Sequence, residues 1–198
     1  MKRSASEARE RLLAAVIDQL TGQGLGDLSL RALAAAVGTS HRMLIYHFGS
    51  KEGLLIEVVR TMEQRQRAAL ADLERELDAD PELTPTDMMM RFWHRLADPA
   101  LWPAERLFFE LYGQALQGRP GTTPFLDGIV DSWLAPLTAM TRRHGSPPDT
   151  AAADARLGLA VARGLLLDLL ATGDREAVDQ AMARFATGYL AMIGSPDR

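Results

Sequence analysis

LSLRALAAAVGTSHRMLIYHFGSKEGLL, residues 28–55, reads as two short helices and the opening of a third. Leu33, Ala34 and Val37 share an apolar face, and Ser29 stands just ahead of them as an N-cap. Gly38 stops that helix, because glycine takes the left-handed backbone that a helix end needs. Ser40 caps a second, short helix from Ser40 to His47, which carries Leu44, Ile45 and Phe48 toward the same core. Ser50-Lys51-Glu52 then starts a much longer one. Two short helices joined by a turn of about three to four residues with a glycine make the helix-turn-helix plan. In that plan the second helix lies in the major groove of DNA.

At about 100° per residue, Leu44 and Phe48 point inward. Arg42, Met43 and Tyr46 point outward, with His47 and Ser40 on the flank. Arginine offers guanine O6 and N7 two hydrogen bonds at once. Tyr46, His47 and Lys51 are suited to hold phosphates.

The stretch resembles the tetracycline-repressor (TetR) family of bacterial transcription regulators. The matching residues are Ser29, Leu33, Ala34, Gly38, Ser40, Leu44, His47, Phe48, Lys51 and Leu54, aligned without a gap. The resemblance covers directly about the first quarter of the chain; the remainder is similar in length and helical pattern. It implies a DNA-contacting set of Ser29, Arg31, Thr39, Ser40, His41, Arg42, Met43, Tyr46, His47 and Lys51. Helical phase turns His41 toward the core, whereas the resemblance puts it near DNA. Two positions depart from the family pattern. Ile45 stands where a phosphate-binding tyrosine is usual, and Tyr46 is the candidate to take that contact over. Arg42 stands where a small residue is usual, which predicts a guanine contact in each half-site.

Charge is divided along the chain. The formal net charge is −4, yet residues 1–53 carry +2, leaving −6 for the rest. That asymmetry has the sign expected of an N-terminal module that meets phosphate. The expected division is a DNA-binding domain over 1–53, with its motif at 29–48, and a regulatory and dimerisation domain over 54–198. The chain has no cysteine, which excludes disulfides, thiolate metal sites and cysteine nucleophiles. No apolar run reaches the ~18 residues of a membrane span and no signal peptide is evident, so a soluble cytoplasmic protein is expected, with no metal or cofactor.

The spacing predicts an all-α fold of roughly nine helices. The first runs from Glu7 to Leu20, preceded by Lys2 and Arg3 as a short basic arm and ended by the glycine-rich run 21–26. The helix opened at Ser50 is expected to reach about Leu77, with Glu63 to Arg67 as a solvated polar waist. Thr84-Pro85-Thr86-Asp87 combines an N-cap, proline at the first helical position and an acid three residues on. Further helices are expected from there to about Ala97, from Asp98 to Gln117, from Thr123 to about Arg143 with a kink near Ser132 caused by Pro136, from Ala151 to Leu170, and from Arg175 to Ile193.

Most of the aromatic residues fall between 92 and 133, beside several methionines. Such a region suits an adaptable apolar pocket, although simple core packing explains the same residues. The resemblance favours a small-molecule effector site here, lined by Met89, Phe92, Trp93, Phe108, Tyr112 and Trp133. His94, Glu110, Tyr112 and Asp131 are its candidate polar handles. Ala155, Gly158, Ala162 and Gly164 would let another helix come close. That composition, with the resemblance, points to a homodimer through helices 151–170 and 175–193.

The function expected is a ligand-responsive regulator, a repressor that binds a palindromic operator as a homodimer and is released by a small apolar or aromatic ligand. Activation in place of repression is one further possibility, and two alternatives from other classes stay open. One is a helical scaffold that binds only protein. The other is an all-α enzyme, disfavoured because the histidines at 41, 47, 94 and 144 lack HExxH-like spacing.

Overall fold

The computed structural model describes residues 2–23 and 29–194, and within them it is all-α, with nine α-helices, two 3-10 turns and no strand. The glycine-rich run from residue 24 and the side chains of Lys2 and Arg3 lie outside the described residues.

The chain forms two compact units, residues 1–65 with 99–127, and residues 66–98 with 128–198. The first contains α1 (Lys2–Gln23), α2 (Leu30–Ala36), α3 (His41–Phe48) and the start of α4 (Lys51–Ala79). It also takes in a 3-10 turn, Pro99–Leu101, the helix α6 (Trp102–Leu116) and a second 3-10 turn, Thr123–Leu126. The second unit holds the rest of α4 with α5 (Pro85–Leu96), α7 (Asp131–Arg143), α8 (Ala151–Thr172) and α9 (Arg175–Ile193). Compactness therefore follows a different line from a division at residue 53, because α6 packs against α1.

The local signals act where their chemistry says they should. Ser29 and Ser40 each accept a backbone N–H three residues on, from Ala32 and Met43, at 3.2 Å. Such a cap is worth ~1 kcal/mol. Thr84 and Asp87 form a reciprocal capping box at the start of α5. Asp174 caps α9 by accepting from the Ala177 N–H at 3.0 Å.

Four elements differ from expectation, the first being α1, which starts at Lys2, so that the expected basic arm is helical, and runs to Gln23. The helix foreseen over 123–143 is broken. Gly128 adopts φ +72°, so a 3-10 turn ends near Leu126 and α7 begins only at Asp131. Pro99 likewise opens a 3-10 turn before α6. The polar waist of α4 is not wholly solvated, since Gln66 is buried and accepts a hydrogen bond from Arg95 Nε at 3.1 Å.

Candidate functional site

The turn between α2 and α3 is set by Gly38, at φ +71°, and by the Thr39 N–H donating to the Ala34 carbonyl at 2.9 Å. It delivers α3 with Leu44 and Phe48 buried beneath it, 1% and 8% exposed. The opposite face is open: Tyr46 is 76% exposed and Met43 42%, and Arg42 is exposed with them. His41 is exposed too, so it lies on the outer side and not in the core. Ser29, Arg31, Ser40 and Lys51 are exposed, while Thr39 and His47 are half-buried. All ten residues of the expected contact set thus belong to one unit and none is buried. The Ser29 and Ser40 hydroxyls spend an acceptor on their caps but keep a proton to donate.

Two residues that shape this face carried no legible signal. Arg9 of α1 donates from Nε to the His47 carbonyl at 3.3 Å. Its Nη2 lies 3.1 Å from Glu57 Oε2, and its guanidinium sits 5.0 Å from the centre of the Phe48 ring. One side chain therefore ties α1, the end of α3 and α4 together, and its charge is met by Glu57. Gly53 is the second. A Cβ there would fall 2.4 Å from the Phe48 carbonyl oxygen, so only glycine lets the first turn of α4 come this close to the end of α3. Neither is visible in a local window: Arg9 reads as an ordinary surface cation and Gly53 as a weak spot in a helix.

The second unit holds a partly open apolar cavity of about 90 Å³. Met88, Met89, Phe92, Trp93 and Leu96 of α5 face Trp133, Leu137 and Met140 of α7 across it. Residues of α8 and α9, among them Gly158, Ala162, Met182 and Tyr189, complete the wall. Gly158 is small for a reason: a Cβ there would meet the Tyr189 hydroxyl at 3.3 Å. That hydroxyl donates to the Asp154 carbonyl at 2.8 Å. Burial, with a smaller effect from Asp154, pushes the Tyr189 phenol up to about 12.

Of the six residues expected to line a ligand site, Met89, Phe92, Trp93 and Trp133 border this cavity. Phe108 and Tyr112 do not. They lie on α6 in the first unit, each meeting the Phe125 ring edge-on, at 5.8 and 6.1 Å. The helix breaks near Pro99 and Gly128 fall at the two ends of the segment that folds with the first unit. The expected polar handles also lie elsewhere. His94 is exposed, 4.0 Å from Asp179, and Glu110 is exposed and bonded to Gln114. Asp131 is exposed at the start of α7.

Ala155 and Gly158 turn inward, toward α9 and the cavity, and Ala162 also lines the cavity. Gly164 faces open space, on an outer side of α8 where Leu157 and Leu167 are 44% and 50% exposed.

Residues 12–58 match the family described as "Bacterial regulatory proteins, tetR family". The chain is 23% identical over 160 residues to the HTH-type transcriptional regulator EthR of Mycolicibacterium smegmatis, a match covering 74% of this chain and 66% of that protein. It is 44% identical over 54 residues to the HTH-type transcriptional regulatory protein RaaS of Mycobacterium tuberculosis, covering 27% of this chain and 25% of the relative. These matches thus span less than two thirds of either relative's length. Among solved structures, a transcriptional regulator from Rhodococcus shares the fold, with a TM-score of 0.72 at 22% identity, covering 94% of this chain and 98% of that one.

Proposed function

We propose that this chain, whose residues 12–58 match the tetR family of bacterial regulatory proteins, is a ligand-responsive repressor that binds a palindromic DNA operator as a homodimer. The observation that carries the reading is α3. It is a capped helix with its apolar side buried, and it holds Arg42, Met43 and Tyr46 outward together. In the proposed complex Arg42 reads guanine in the major groove. Tyr46, His47, Lys51 and the two serine hydroxyls hold the sugar-phosphate backbone and set the register.

The partner copy is proposed to dock on the outer side of α8 and α9, where Leu157, Gly164 and Leu167 are open. A two-fold pair places two recognition helices on half-sites about 34–36 Å apart, which is why the operator is palindromic. The effector is proposed to enter the cavity between α5 and α7. The segment 99–127 leaves the end of α5 and returns to the start of α7, yet folds with the first unit. There Arg60 on α4 donates to the Pro124 carbonyl at 2.6 Å. A ligand that parts α5 from α7 therefore pulls on a segment bound to α4, and weakens DNA binding only by its preference for the shifted state. No catalytic role is proposed for any residue.

Titration of the purified chain onto labelled DNA from upstream of its own gene tests this. The expected result is saturable binding to one palindromic site, far tighter than to scrambled DNA of equal length at the same salt. Equal affinity for the two removes the reading.

A further inference from the structure

The chemistry of the cavity wall says more than that a ligand fits. We infer that this cavity takes an uncharged, largely hydrocarbon molecule and turns away carboxylates and ammonium ions. The inference rests on the reading of the cavity as an effector site and specifies what that effector is.

Among the described residues, no charged side chain lines the cavity. Three of its wall groups that could hydrogen-bond are already engaged by the protein. The Trp93 indole N–H donates to Asp179 Oδ1 at 2.6 Å, and that carboxylate is met on its other oxygen by Arg175 Nε at 2.7 Å. The Thr141 hydroxyl lies 3.1 Å from the Ala151 carbonyl and as close to that of Thr138. The Tyr189 hydroxyl is held by Asp154. An entering carboxylate meets none of these three donors free and no cation in the wall. An entering ammonium meets no carboxylate, and the guanidinium of Arg67 already lies 5.5 Å from the centre of the Trp133 ring. An ion placed here loses its water and gains nothing comparable. What the Thr141 and Tyr189 hydroxyls still offer is acceptor lone pairs, which suit a neutral ligand's O–H or N–H but give an ammonium no counter-charge.

Size points the same way. At about 90 Å³ the void is smaller than the roughly 150 Å³ apolar cavity that admits benzene. Its occupant must therefore make room. Four methionines, at 88, 89, 140 and 182, stand in the wall. Their unbranched thioether chains can re-pack around apolar shapes without exposing a polar atom.

The test uses three probes with one hydrocarbon skeleton: propylbenzene, 3-phenylpropionate and 3-phenylpropylammonium. Trp93 and Trp133 line the cavity and Trp102 lies on α6, so Trp102→Phe leaves an intrinsic fluorescence signal from the cavity alone. Propylbenzene should change that signal saturably, and both ions should bind at least about 100-fold more weakly. Ala162→Leu, which fills the void, should abolish the propylbenzene response without lowering the melting temperature. An ion binding as tightly as propylbenzene, or no saturable response to propylbenzene, overturns the inference, as does an unchanged response in a folded Ala162→Leu protein. No DNA is present, so the outcomes separate: a neutral ligand that binds here but, in a separate titration, leaves operator affinity unchanged defeats the ligand-responsive part of that reading and spares this inference.

Discussion

Two aromatic clusters built from the same kinds of residue differ in what they surround. In the first unit Phe108, Tyr112 and Phe125 meet one another at 5.7 to 6.1 Å, and Phe125 is 0% exposed. In the second unit Phe92 and Trp133 are 6.1 Å apart, but with Trp93 and the methionines they border open volume. Ring spacing is nearly equal in both, so composition does not separate a solid core from a binding cavity. The partners on the far side of each ring do. Phe125 is enclosed by rings of its own unit, whereas Phe92 faces space that α8 and α9 leave beside Gly158 and Ala162.

Truncation gives the largest contrast. Phe125→Ala should cost about 3–5 kcal/mol of stability, the usual price of hollowing a filled core. Phe92→Ala, at a half-buried position beside existing space, should cost about 1–2 kcal/mol and enlarge the cavity. Urea unfolding of both variants measures this, and equal losses would erase the distinction between the clusters.

Alkaline pH probes the cavity wall separately. The Tyr189 phenol is harder to ionise folded than unfolded, its pKa being pushed up to about 12. Its contribution is thus intact below about pH 10 and fades as pH rises toward 12, by roughly 2–3 kcal/mol in all. Tyr189→Phe should start less stable but lack that part of the decline.

At the other unit's surface, Arg42→Ala should weaken operator binding by about 1–3 kcal/mol and relax one base position per half-site. Lys51→Ala should weaken all sequences alike and lower the salt slope by about one. Affinities for point-substituted operators at several salt concentrations tell these apart; if both changes alter only sequence preference, the split into base reader and phosphate holder fails. The smallest effect is expected at Gly53→Ala. Its Cβ would meet the Phe48 carbonyl at 2.4 Å, and relieving that should cost about 1–2 kcal/mol, partly offset by the better helix propensity of alanine. A net gain in melting temperature would show that α4 can move away from α3 freely.

The α3 face was legible because everything that defines it acts within a few residues. Ser40 reaches the Met43 N–H, Gly38 turns the chain, and the 3.6-residue period alone separates Leu44 and Phe48 from Arg42 and Tyr46. His41 was the exception. It sits in the first turn, where the phase of so short a helix is set by how the helix docks. The cavity was half legible: α5 and α7 announced their apolar faces, but Phe108 and Tyr112 fold with the other unit, in the segment between two breaks near Pro99 and Gly128.

From residue order alone came the helices, their caps and stops, and the polar side of α3, since hydrogen bonds and periodicity spanning three or four positions specify them. Packing across long separations settled the rest. Arg9 finds the His47 carbonyl 38 positions away, and Arg95 finds Gln66 across 29. Which aromatic rings close on each other and which enclose a void depends on helices that are neighbours in space and distant along the chain, and no local window carries that information.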